Sequence, residues 1–524
     1  MITAGIPAAP SPLVGTPAQH RCRDRLSRRV LALLGADGLV RAPVESRVLE
    51  SSLLLVLVED LLPAHPARDR LVRHLKHTLD TAPPDALQVA VARSVLDGSP
   101  GAAAAAEAEL DRFGHFTAGR KRLMFRTLLA ELGAVPHPAV RWESYAAPGE
   151  QSWLLVEMTA LKALAAHGRG RPERVGDGEW ALLAAVVREE RIWEGNFLAR
   201  LLALLALRHH PARRAAAARG TEHTLRHLRA DGGLPFITGM DVFATALAGL
   251  ALTAAGHAGH PALAGAARAL AELQHRDGGF GFTRGVLQSD TDDTAYCLEL
   301  LRATDPVRYA GQVRRAEDYL LAQRNEDGGF PTFARGVASE RAMTAAAVNA
   351  LAPAARCRDA VADALHHLTD PARLALPPES SWSRNTTNAA FRTVLALRAA
   401  EPGAADGTGH GTADGVAVLR GRMLDHLLAG QGPDGGYGHD ADGPSDPIST
   451  AYAAIALAHL PPGSPGAAPA LRRAVDHLTG RQRPDGGFTS VPDQAGPRPL
   501  LYDAPVLADV CVLLGLGHAL RPRC

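Results

Sequence analysis

Asp-Gly-Gly followed by a bulky apolar residue occurs five times, at Asp231, Asp277, Asp327, Asp434 and Asp485. The step is about 50 residues, with one gap of about twice that length, where Pro377–Arg384 reads as a degenerate copy. A period of this size marks an array of supersecondary units, each too small to bury its apolar face alone. Each copy lies between a charged amphipathic segment ending near Gln or Arg and a nearly all-apolar one. Glycine suits the left-handed backbone positions of such turns.

The apolar segments are Val242–Gly256, Thr294–Ala303, Ala342–Ala352, Thr386–Ala400, Ser449–Leu460 and Asp503–Leu520. The amphipathic ones are Arg214–Ala230, Pro261–His275, Gly311–Arg324, Arg356–Leu368, Ala417–Gln431 and Pro469–Gln482. A helix apolar all round is buried and an amphipathic one lies outside. The alternation therefore predicts an all-α fold, an α/α barrel of six inner and six outer helices. Its Asp-Gly-Gly turns gather at one end and lead into the inner helices. Residues 37–213 lack the repeat, and Pro43–Leu62, Arg120–Gly133, Ser152–His167 and Glu179–His209 read as helices of a second domain. The expected division is 1–36, 37–213 and 214–524. The Gly/Ala/Asp-rich stretch Pro402–Gly415 reads as a loop insertion.

A formal net charge of +1 gives no bulk electrostatic attraction for nucleic acid. The longest apolar runs, such as Ser51–Val58 and Phe197–Leu207, fall short of the ~20 residues of a membrane span. Met1–Arg29 lacks the apolar core of a signal peptide. The five cysteines are scattered without a Cys-Xaa-Xaa-Cys pair, which argues against a disulfide framework or zinc knuckle. A cytoplasmic, reducing location is expected.

Chemistry concentrates in Gln288–Thr294, where Asp290, Asp292 and Asp293 put three carboxylates at the start of an inner helix. Groups this close cannot all ionise cheaply, so at least one should hold a proton near neutral pH. Above an apolar cavity, such a proton can attack a carbon–carbon double bond. The plainer reading is helix capping, Ser289 or Asp290 with Asp293 as a capping box; it leaves Asp292 without a role. Pocket walls are expected from residues near inner-helix starts: Met240, Tyr296, Met343, Thr344, Trp382, Asn385, Asn388 and Tyr502. Trp382 is the candidate cation-facing ring. Asn385 or Asn388 would position a water for the final proton, or simply cap a helix. Arg284, Arg341 and Arg384 follow repeat turns and are candidates for phosphate, with ordinary salt bridges as the alternative.

Asp290-Thr291-Asp292-Asp293, together with the Gln/Arg…Asp-Gly-Gly-Phe repeats over Arg214–Cys524, resembles class II terpene cyclases, relatives of the squalene–hopene cyclases. Here the glycines precede Phe280, Phe330, Tyr437 and Phe488 rather than Trp. The resemblance implies a two-domain βγ architecture with the γ domain inserted after the first β-domain helix, so that Asp24–Gly35 packs with the barrel. It implies that Asp292 is the general acid, starting a carbocation cascade that ends in deprotonation. Asp290 and Asp293 are expected to hydrogen-bond Asp292 and raise its proton affinity. It also implies Mg²⁺ held with a γ-domain glutamate: Glu157 is the first candidate, Glu59 and Asp60 the alternatives. Only 12 Phe, 7 Tyr and 5 Trp are spread over the chain, too few for a long cascade of cations needing aromatic faces. About two rings from a prenyl diphosphate are expected. Geranylgeranyl diphosphate, giving a copalyl-type product, is the first choice, and farnesyl diphosphate, giving a drimane-type product, the second. The Asp-Asp-Xaa-Xaa-Asp signature of diphosphate ionisation is absent, so the diphosphate should stay in the product. Two other readings compete. One is a protein prenyltransferase β subunit with zinc on Asp509, Cys511 and His518. The other is a non-catalytic helical-repeat binding module.

Overall fold

The structure, a computed structural model, describes residues 9–10, 12–81, 85–98, 103–112, 117–147, 149–373, 381–400, 410–440 and 443–521. The chain forms two compact units. The first comprises Met1–Pro43, Gly239–Gln494 and Asp503–Cys524; the second comprises Val44–Thr238 and Ala495–Tyr502. Helix α1 (Pro17–Leu33) opens the first unit. The second unit carries α2 (Val48–Leu61), α3 (Ala67–Thr81), α4 (Ala86–Asp97), α5 (Ala103–Arg112), α6 (Ala118–Glu131), α7 (Ser152–Gly168), α8 (Asp177–Val187), α9 (Phe197–Arg208) and α10 (Arg214–Leu225). The first unit resumes with α11 (Asp241–Leu252), α12 (Pro261–Leu273), α13 (Thr291–Thr304), α14 (Ala310–Gln323), α15 (Arg341–Leu351) and α16 (Arg358–Thr369). It continues with α17 (Thr386–Leu397), α18 (His410–Ala429), α19 (Pro447–His459), α20 (Ala467–Arg481) and α21 (Val506–Ala519).

In the first unit α11, α13, α15, α17, α19 and α21 form the inner ring, each packed on the next and α21 closing against α11. These helices are buried almost all round, as their apolar composition requires. Helices α12, α14, α16, α18 and α20 pack outside. The sixth outer place is filled by α1, which packs on α20, α21 and α11, not by Arg214–Ala230 as the alternation predicts.

Hydrogen bonds explain why the repeat survives as Asp-Gly-Gly. Asp277 Oδ1 accepts from Gly279 N at 2.9 Å and from Ser289 Oγ at 2.9 Å. Phe280 N then donates to Thr294 Oγ1, on the first turn of α13, at 2.9 Å. The aspartate thus closes the turn, and the residue after the glycines clasps the inner helix. The same pair of bonds recurs from Asp327 and Phe330 to Ser339 and Thr344, and from Asp434 and Tyr437 to Ser445 and Thr450. Asp509 replaces the threonine for Phe488. Gln274, Gln431 and Gln482 each donate to the carbonyl of the turn's first glycine and to a backbone carbonyl of the next outer helix. For Gln482 that carbonyl belongs to Cys22 on α1, which fixes α1 as the sixth outer helix. Gly278 has φ +91°, and a Cβ there would come within 2.3 Å of Arg315 O, so the turn demands glycine twice over.

The Asp231 copy is wired elsewhere. Its side chain bonds Gly233 N and Ser46 Oγ, and Leu234 N donates to Ser51 Oγ on α2. This turn therefore serves the second unit, and the boundaries fall after Pro43 and Thr238 rather than after 36 and 213. Within that unit α2 packs on α4 and α9, α7 on α6 and α9, and α4 on α6, a ring of its own. The segment Glu179–His209 is two helices, because Asn196 caps a new one by accepting from Ala199 N at 3.0 Å. Glu194, just before it, adopts φ +49°.

Residues 374–380, within the degenerate copy, and 401–409 of the expected loop lie outside the described residues. From His410 onward that stretch is helical, in α18, rather than loop. Cys22, Cys297, Cys357 and Cys511 are buried and free. Among the described residues no helix is long and apolar enough to cross a membrane.

Candidate active site

Helix α13 begins at Thr291, three residues earlier than its apolar run, because Asp290 is its N-cap. Asp290 is extended (φ −140°, ψ 166°), and its Oδ1 accepts from Asp293 N at 2.8 Å. Thr291 is tied to the next repeat by its N–H to Thr332 O and its hydroxyl to Pro331 O. With Thr294 clasped to Phe280, the first turn of α13 is held at three points. Capping therefore operates here, and it leaves Asp292 free for another partner.

That partner is Arg392 on α17. Its Nη1 donates to Asp292 Oδ1 at 2.5 Å, and its Nη2 to Oδ2 at 3.3 Å and to Tyr296 OH at 2.8 Å. Asp292 and Tyr296 stand four apart on α13 and share a face. The guanidinium also lies 4.8 Å from the Tyr296 ring centroid. Arg392 is buried; burial by itself would lower its pKa, but Asp292 and then Tyr296 outweigh that and raise it, so it stays charged. Asp290 and Asp293 bond each other rather than Asp292. Burial pushes Asp290 up to about 7 against its hydrogen bonds with Asp293, and burial, then Asp290 and Asp292, holds Asp293 well above the usual carboxylate range. One Asp293 oxygen has no hydrogen-bond partner. The three carboxylates thus split into a proton-holding pair, Asp290 and Asp293, and a guanidinium-bound Asp292. This corrects the expectation that the outer two aspartates support the middle one directly.

Aromatic rings surround this end of the barrel. Phe243 on α11 meets Tyr296 edge-on at 5.5 Å, and Phe391 on α17 stacks on Tyr452 of α19 at 4.9 Å. Deeper on the axis lies a cavity to which all six inner helices contribute, including Tyr296, Glu299, Asn349, Arg392 and His518.

The other expected pocket residues scatter. Met240 and Met343 are buried near the starts of α11 and α15. Trp382 is half-buried and packs edge-on against Phe333 at 5.6 Å. Thr344 is a turn clasp, accepting from Phe330 N and donating to Glu340 O. Asn385 caps α17 by accepting from Asn388 N and donates to Asp493 Oδ1 at 2.5 Å, so its side chain is engaged as a helix cap. Asn388 is buried one turn into α17. Tyr502 lies in the second unit against Phe236, off the inner helices, because α21 starts only at Val506.

The three candidate phosphate arginines have protein partners. Arg284 is exposed beside Asp37 and Asp241, and Arg384 is exposed on Asp440. Arg341 donates to the carbonyls of Leu368 and Arg373. Their contacts are those of ordinary structural cations.

Glu157 on α7 is wholly buried, and neither carboxylate oxygen accepts a hydrogen bond. Burial pushes it up to about 7 and pushes the neighbouring Lys121 down to about 8. Mg²⁺ needs near-octahedral oxygen ligands and keeps several waters. A sealed single carboxylate beside an ammonium does not fit that requirement. Among the described residues no three His, Cys, Asp or Glu side chains form a metal-binding group. Glu59 and Asp60 are engaged by Arg68 and Arg214. The zinc reading fails on the same count. Asp509 holds Arg29 and Phe488 N, Cys511 meets Tyr452 OH, and His518 bonds His459.

Sequence reasoning missed Arg392 and Glu299. Each is the sort of charge that an apolar inner helix should not carry without a purpose, and that anomaly was the available signal.

No family model matches the chain. It is 54% identical over 516 residues to drimenyl diphosphate synthase of Streptantibioticus cattleyicolor, with 96% of each chain covered. It is 52% identical over 529 residues to drimenyl diphosphate synthase of Streptomyces showdoensis, with 98% of each covered. Among solved structures, ent-copalyl diphosphate synthase from Streptomyces platensis matches with a TM-score of 0.59 at 19% identity, over 96% of this chain and 100% of that one. This last likeness is one of fold. More than half of the residues are shared with these relatives along almost the whole of both chains: the protein belongs to the class II terpene cyclases.

Proposed function

We propose that the enzyme cyclises farnesyl diphosphate to drimenyl diphosphate, with Asp292 as the proton donor, in the cytoplasm. The observation that carries the acid assignment is the Asp292–Arg392 pair at 2.5 Å, whose arginine lines the axial cavity together with the Tyr296 and Phe391 rings. The farnesyl reading replaces geranylgeranyl as first choice because both curated relatives bear the drimenyl name. The small aromatic count suits two rings in either case.

The chemistry balances as an isomerisation. The Asp292 proton forms a C–H bond at the terminal double bond and leaves a tertiary cation. Two neighbouring double bonds attack in turn, closing two C–C bonds, and a proton is lost from carbon. The C–O bond to diphosphate is not broken. Protonating an alkene is uphill for any carboxylic acid, so whatever steadies the developing carboxylate speeds the step. Arg392 does this from a fixed, buried position, and each unit of added acidity is worth at most about 1.36 kcal/mol of barrier. The Tyr296, Phe243, Phe391 and Tyr452 rings offer π faces to the passing cations. No step here runs through Mg²⁺.

The test is incubation of purified protein with farnesyl and, separately, geranylgeranyl diphosphate, then phosphatase treatment and GC–MS. A bicyclic C15 alcohol appearing only after phosphatase is the expected result. Conversion of the C20 substrate alone would overturn the chain-length assignment.

A further inference from the structure

Asp292 poses a difficulty for its own role. Arg392 donates to both oxygens of its carboxyl group, yet a general acid must carry a proton on one of them. Some other anion must be able to answer Arg392 while Asp292 is protonated.

Glu299 is placed to do so. It lies seven residues beyond Asp292 on α13, and with Tyr296 the three residues form one helical stripe. Glu299 and Arg392 both line the axial cavity. Glu299 is half-buried. Burial pushes its carboxyl up to about 7, partly countered by Arg302 and Arg392 and helped by Asp292.

The other charges nearby are accounted for. Arg302 is paired with Glu317 of α14, which Arg356 also holds. On α21, His518 is pushed down to about 4 by burial and is neutral at physiological pH; it bonds His459, which in turn meets Arg398. Leu250 of α11 and Ala346 and Asn349 of α15 bring no charge to the cavity. Arg392 therefore bonds the Asp292 carboxyl and shares the axial cavity with Glu299, whose charged form it favours.

Resting on the acid assignment above, we propose that Glu299 is a positioning residue that arms Asp292 by taking over the charge of Arg392. In the armed state Asp292 is protonated and Glu299 ionised. Once the proton has passed to substrate, two carboxylates face one guanidinium. That excess negative charge raises their affinity for a proton and draws one in, resetting the site. No bond other than O–H is made or broken in the reset.

The test is the pH dependence of turnover for the wild type, Glu299→Gln and Glu299→Asp, with Asp292→Ala as the reference. With Gln, Arg392 has only Asp292 to neutralise it. Turnover at neutral pH should fall by about tenfold or more, and the alkaline limb should move down by about one unit, so that activity recovers in acid. Glu299→Asp should restore most of the wild-type profile. A Glu299→Gln profile that overlays the wild type, or is scaled down without moving, would overturn the proposal. If Glu299→Gln does not fold, Glu299→Ala is the second neutral variant: the same downward displacement of its alkaline limb supports the proposal, and an unmoved limb refutes it. Failure of the acid assignment would look different: product formation would persist in Asp292→Ala.

Discussion

Arg392 holds both oxygens of the Asp292 carboxylate, at 2.5 and 3.3 Å, from an inner helix two places further round the ring. The chemistry of this barrel therefore depends on its closure. Two residues a hundred positions apart meet only because α13, α15 and α17 pack in order.

Replacing Arg392 by Leu should abolish most turnover, by about a hundredfold or more, since it removes the charge that steadies the Asp292 carboxylate. The fall should lie in kcat rather than KM, because the proposed contact is with the acid. Arg392→Lys should fall between, as an ammonium cannot reproduce the two-pronged bond. Steady-state kinetics on farnesyl diphosphate would show the split.

The Asp290–Asp293 pair should appear in the pH dependence of stability. Asp290 titrates near 7 when folded and near 4 when unfolded. Over that interval Asp290 holds its proton only in the folded state, so its contribution to stability is largest in acid and is lost as pH rises through 7. Asp290→Asn, which keeps a competent helix cap, should flatten this slope. Urea denaturation at pH 4.5 and 7.5 (chosen at about the two limits) would measure it.

Gly278→Ala should destabilise the barrel by about 2–4 kcal/mol, since the residue combines a left-handed backbone with a near-contact to Arg315 O. Gly259→Ala, with open space around its Cβ and no positive φ, should change thermal stability little. A pair of melting curves decides this.

Thr294→Val keeps the shape of the turn clasp but strands the buried N–H of Phe280. The cost should be about 1–3 kcal/mol. Turnover should also fall, because the clasp sets the first turn of α13 and with it Asp292. Thr221→Val, a buried hydroxyl bonded only within its own helix in the second unit, should lower stability less and spare turnover.

The sequence reading succeeds where a local rule decides. Asp-Gly-Gly spacing and apolar helices reveal the inner ring, and the three clustered aspartates do lie at the start of an inner helix. It fails where wiring is long-range. Nothing local says that the Asp231 turn clasps Ser51 rather than leading into α11, or that α1 receives Gln482 as the sixth outer helix. Thr344 and Asn385 sit at inner-helix starts like pocket residues, yet their polar groups are consumed by the turn and the cap. Tyr502 sits just before an inner helix in sequence, but the chain has crossed into the other unit by then. Arg392 and Glu299 look like stray charges until the barrel closes around them.

The most direct test of the central claim is product formation from farnesyl diphosphate by Asp292→Ala and Asp292→Asn, each shown by circular dichroism to be folded. Both should yield no cyclic product even after long incubation, Asn included, because its amide keeps the shape of the acid without its proton. Sustained cyclisation by either folded variant would contradict the assignment of Asp292 as the proton donor.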